Sequence, residues 1–73
     1  MKVKARDGKV YEVTSAPPGG RHEVLLGNEV IGSFILEETE TKVEAESKKT
    51  SDALLVDIAD RFVAQGGAPM GML

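Results

Sequence analysis

The sequence predicts an α+β fold: an antiparallel sheet of about five strands, two hairpins plus an acidic edge strand, with one C-terminal helix packed on one face. Three features carry this expectation. Two stretches of period-two alternation fold about Asp7-Gly8 and Gly27-Asn28, turn pairs typical of hairpins. A third alternating stretch is acidic, and a single helical stripe near the C-terminus stops at Gly66-Gly67.

The first hairpin joins Lys2–Arg6 to Lys9–Val13. A three-residue loop Arg6-Asp7-Gly8, with Gly8 left-handed, pairs Val3 with Tyr11 and Lys2 with Glu12, and sets Val3, Ala5, Tyr11 and Val13 on one buried face. Thr14 to Gly20 (TSAPPGG) is a surface connection, because two prolines lack donors and two glycines lack stiffness. The second hairpin joins Glu23–Leu26 to Val30–Leu36. Plain alternation puts Val30, Phe34 and Leu36 on one face and Ile31 and Ile35 on the other, the pattern of a strand covered on both sides. In Thr41–Glu46, Thr41, Val43 and Ala45 point inward and Lys42, Glu44 and Glu46 outward, charges that discourage edge pairing. Thr50 and Ser51 are candidate N-caps of a helix from about Asp52 to Gln65, whose buried stripe is Leu54, Leu55, Ile58, Ala59 and Phe62. Gly66-Gly67 and Pro69 end it. The expected organisation is one domain over 1–67 and a flexible tail over 68–73.

The chain has 73 residues, 41% apolar and 29% charged, with a formal charge of -3. A core of this size supplies only about 3–5 kcal/mol, so small domains recruit disulfides, metals or partners. Cysteine is absent, which excludes disulfides, thiolate zinc sites and thiol nucleophiles and favours a reducing compartment. No apolar run approaches the ~20 residues that span a bilayer, and the N-terminus lacks the apolar core of an export signal. The expectation is a cytoplasmic protein without membrane contact and without a cofactor, whose core is completed by a partner.

Few residues suggest chemistry. Glu37, Glu38, Glu40, Glu44 and Glu46 lack the offsets of a calcium loop and read as a solvated face. His22, beside Arg21, has no adjacent nucleophile or second ligand and reads as an exposed strand-end residue. Arg21, Lys48, Lys49, Thr50 and Ser51 are candidate anion-binding residues, the last four because helix amides and lysines converge there. Met70 and Met72 in the tail, with Leu73, offer a flexible apolar anchor. Ile31 and Ile35 form the candidate interface strip, because a monomer would leave them exposed.

Tyr11-Glu12-Val13, the proline-glycine connection, the Gly27-Asn28 hairpin and Ser47-Lys48-Lys49 before a helix resemble a fragment of the double-stranded RNA-binding domain. The resemblance implies phosphate contacts at Lys48 and Lys49. The chain departs from that pattern in having no room for the family's first helix, an extra acidic strand and a negative net charge. The leading expectation is a non-enzymatic, self-associating protein-interaction module, a homodimer whose partner is itself or else another protein; the alternative is a nucleic-acid-binding module using Arg21, Lys48 and Lys49.

Overall fold

In the computed structural model, which describes residues 1–67, β1 (Lys2–Lys4) and β2 (Val10–Val13) pair with Val3 opposite Tyr11 and Lys2 opposite Glu12. This is the register of the three-residue loop, and Gly8 takes the positive φ of +84° that the loop needs. The Asp7 carboxylate fastens the turn, accepting from the Lys9 amide at 3.0 Å and from the Tyr11 hydroxyl at 2.6 Å. Burial and then that carboxylate push the Tyr11 hydroxyl up to about 12, so it remains a donor at neutral pH.

The chain continues through β3 (Arg21–Leu26), β4 (Glu29–Leu36) and β5 (Thr41–Ala45) to α1 (Asp52–Ala64). All five strands are antiparallel neighbours in sequence order, a simple meander with β1 and β5 at its edges. The helix packs on one face, against β4 and both edge strands. Ser51 is its N-cap, accepting from the Leu54 amide at 3.3 Å, and Thr50 lies one residue outside with its hydroxyl buried and unpartnered among the described residues. At the other end the Gly66 and Gly67 amides donate to the Val63 and Phe62 carbonyls, so the last turn is closed where the glycines predicted, one residue earlier than the periodicity suggested.

The core is Val3, Ala5, Tyr11, Val13, Val24, Ile31, Phe34, Leu36, Leu55, Ile58, Ala59 and Phe62, with Leu26, Val43 and Leu54 packed at its rim. Gly32 makes the helix seat possible. A Cβ there would stand 2.9 Å from both Leu55 Cδ1 and the Glu44 carbonyl oxygen, so only glycine lets Leu55 rest directly on β4.

Ile31 corrects the sequence reading. Strands β3 and β4 pair regularly from Arg21–Ile35 to Val24–Gly32, then slip, so that Leu25 faces Val30 and Ile31 has no partner. Such a bulge inserts one residue and resets the alternation. Ile31 therefore turns into the core, fully buried, while Val30, expected to face the helix, lies half-buried on the opposite face beside Leu25. Ile35 does face away from the helix, half-buried, so the expected Ile31–Ile35 strip is not assembled.

His22 is a second correction. Its side chain is buried, stacked on Phe34 with ring centroids 5.1 Å apart and tilted against Phe62 at 4.9 Å. Register explains it: His22 pairs with Phe34, an inward residue, so it must share the inner face. Its Nδ1 lies 2.8 Å from the Thr14 carbonyl oxygen, which can only accept, so Nδ1 carries the proton and donates.

Candidate functional site

The edges of an antiparallel sheet expose the backbone groups of alternate residues, and hydrogen bonds within the sheet fix which ones. In the first hairpin the Ala5 amide donates to the Lys9 carbonyl and the Val13 amide to the Met1 carbonyl. Odd residues of β1 therefore bond β2, and Lys2, Lys4 and Arg6 turn their N–H and C=O to the outside. Helix α1 and its C-cap residue Gln65 meet three of these groups. Arg61 Nη1 donates to the Lys4 carbonyl at 3.3 Å, Gln65 Nε2 donates to the Lys2 carbonyl at 3.1 Å, and the Arg6 amide donates to Asp57 Oδ2 at 2.9 Å. Arg61 Nε also chelates the Asp57 carboxylate at 3.0 and 3.1 Å. Burial works to raise the Asp57 pKa, but the Arg6 amide and the Arg61 guanidinium outweigh it and hold the carboxyl below its ordinary value.

At β5 the Glu46 amide donates to the Ile31 carbonyl and the Glu37 amide to the Glu40 carbonyl. Even residues of this strand bond β4, so Thr41, Val43 and Ala45 direct their N–H and C=O outward. Among the described residues no side chain or backbone group pairs with them. Ala45 is exposed and Thr41 and Val43 are half-buried, while Lys42 and Glu44 stand on the face away from the helix.

On that outer face a shallow hollow of about 240 Å³ is lined by Arg21, Ser33, Ile35, Lys42 and Glu44. Arg21 reaches Glu44 at 3.8 Å and Lys42 reaches Glu37 at 3.4 Å, exposed pairs that organise the surface without adding much stability. The acidic run is thus partly neutralised by its neighbours.

The candidate anion-binding residues are not brought together. Arg21 begins β3 and reaches across β4 to Glu44 of β5, whereas Lys49 donates to Glu29 Oε1 at 2.6 Å, next to the turn where β3 ends. A six-residue strand separates the two ends by about 17 Å. Lys48 is exposed, and Ser51 is committed to the helix cap. Met70 and Met72 lie outside the described residues. Among the described residues no group of three or more His, Asp and Glu is placed to hold a metal ion, and no helix is long and apolar enough to cross a membrane.

The sequence identifies the acidic edge strand, but which of its backbone groups stay open depends on its pairing with β4. The alternation of Thr41–Glu46 showed which side chains point inward, but only the pairing with β4 shows which amides are left over. No protein-family model, no curated protein and no solved structure matches this chain, and the short motifs shared with the double-stranded RNA-binding domain stand without a family match.

Proposed function

We propose that this domain is a non-enzymatic protein-interaction module whose binding element is the β5 edge. The single observation that carries the reading is the row of outward N–H and C=O groups at Thr41, Val43 and Ala45, unpaired among the described residues, next to an opposite edge closed by the helix. An edge of this kind takes up an extended segment of another polypeptide by strand addition, with the backbone giving affinity and alternate side chains giving selectivity. The residues best suited to catalysis have structural work instead: His22 is stacked in the core and bonded to Thr14, Tyr11 is tied to Asp7, and Asp57 holds Arg6 and Arg61.

The test is a selection of binders from a random peptide display library against the folded domain. Selected peptides are expected to protect the Thr41, Val43 and Ala45 amides from hydrogen exchange and to bind a Val43→Pro variant poorly, since proline deletes one outward donor. Peptides that leave these amides exchanging freely, or bind Val43→Pro equally well, would refute the reading.

A further inference from the structure

We infer that β5 pairs antiparallel with β5 of a second copy about a two-fold axis at Val43, joining two sheets into one. The pairing rests on the reading of β5 as the binding edge and adds its occupant and register.

Three constraints lead to it. The first is parity. Outward groups belong to Thr41, Val43 and Ala45, so a symmetric pair must set these residues opposite one another. Centring on Val43 aligns Val43 with its own copy and Thr41 with Ala45 of the second chain, and every outward N–H then meets an outward C=O. The neighbouring registers of the same parity centre on Lys42 or Glu44, and centring on Thr41 or Ala45 leaves only that one residue of the strand paired within Thr41–Ala45.

The second is charge. With Val43 at the axis, Lys42 of each chain stands directly opposite Glu44 of the other, on the outer face and at the closely spaced positions of the ladder. Centring on Lys42 would set Lys42 against itself and Glu40 against Glu44. Centring on Glu44 would set Glu44 against itself. Of the three registers centred on Lys42, Val43 and Glu44, the Val43 register is the one with no like-charge pair within Thr41–Ala45; its acidic contact, Glu40 against Glu46, falls beyond the strand ends, where both side chains are exposed.

The third is the inner face. Val43 is half-buried in one copy, and the symmetric pair sets a second valine beside it. On the helix flank turned away from Asp57 and Arg61, Val56 and Val63 are each 39% exposed, leaving apolar surface on the side of α1 that lies toward β5. A continued sheet would run beneath that flank. The charges of β5, which by themselves discourage edge pairing, thus select one register rather than forbid all of them.

The test is sedimentation equilibrium of the whole chain, taken up to about 1 mM because so short a seam makes a weak dimer. The wild type should dimerise. Lys42→Glu places glutamates against Glu44, and Glu44→Lys places lysines against Lys42, so each should weaken association about tenfold or more. The two changes shift net charge in opposite directions, so a shared loss cannot come from overall repulsion. An equimolar mixture of the two variants should recover association as a heterodimer, and the double variant Lys42→Glu/Glu44→Lys should recover it as a homodimer. A wild type that stays monomeric throughout overturns the self-pairing. Dimers indifferent to the single changes, or a mixture no tighter than its components, overturn the register. Peptide uptake at β5 is read separately by amide protection, so either failure is distinguishable from failure of the interaction-module reading itself.

Discussion

At the β1 edge, Arg61 and Gln65 donate to the Lys4 and Lys2 carbonyls and Asp57 accepts from the Arg6 amide; at the β5 edge the corresponding groups of Thr41, Val43 and Ala45 meet no partner among the described residues. Both edges touch the same helix. What differs is the chemistry of its two flanks. Asp57, Arg61 and Gln65 recur every four residues, a rise of about 6 Å, which matches the roughly 6.6 Å between alternate residues of a strand. Polar side chains at that spacing can follow an edge rung by rung. The other flank carries Val56 and Val63, which cannot donate or accept. A helix can therefore close one side of a sheet and leave the other available, according to which side chains its two flanks carry.

The strongest way to break the contrast is to unseat the helix from both edges. Gly32→Val drives a side chain into Leu55 and the Glu44 carbonyl, and should cost about 3 kcal/mol in chemical denaturation. A sharper test compares neighbouring prolines in β5. Glu44→Pro removes an amide that by register bonds Ser33, whose side chain is buried, and should cost about 2–3 kcal/mol. Val43→Pro removes an outward amide and some packing, and should cost about 1 kcal/mol or less. Equal losses would refute the assignment of which amides face out.

On the closed side, Asp57→Ala strips Arg6 and Arg61 of a shared acceptor and should cost about 1–2 kcal/mol, with faster hydrogen exchange at the Arg6 amide. The same carboxylate sets an acid dependence. Its folded pKa lies below the ordinary value, so its contribution is in place above about pH 4 and is lost as pH falls through the folded value. Wild type should accordingly lose more stability than Asp57→Ala below about pH 4. Gln65→Ala removes one exposed hydrogen bond and should cost about 0.5 kcal/mol, the smallest effect of the set.

Local chemistry made much of the architecture legible. Asp7-Gly8 specified a loop length and hence the register of the first hairpin, and Gly66-Gly67 specified the helix end, because in each case the deciding residues are neighbours in sequence. Ile31 was misplaced because a bulge depends on how two strands slip past each other, and nothing in Val30–Leu36 alone announces it. His22 was misplaced for a related reason: its polarity suggested solvent, while its pairing with Phe34 put it in the core. The candidate binding edge was only half legible. The sequence identified an edge strand, but the helix flank that leaves it open became visible only when the helix was placed.

The bonds that close the β1 edge join residues 51, 57 and 63 positions apart in the chain. Contacts of that span close late, since the entropy of a long loop must be overcome before they contribute. During synthesis β1 emerges first and waits for a helix that emerges last, so for several seconds at about 5–20 residues per second the nascent sheet has two bare edges. Folding of this domain is then expected to be complete only after α1 has left the ribosome, and the step that finishes the core is the same step that reduces two sticky edges to one.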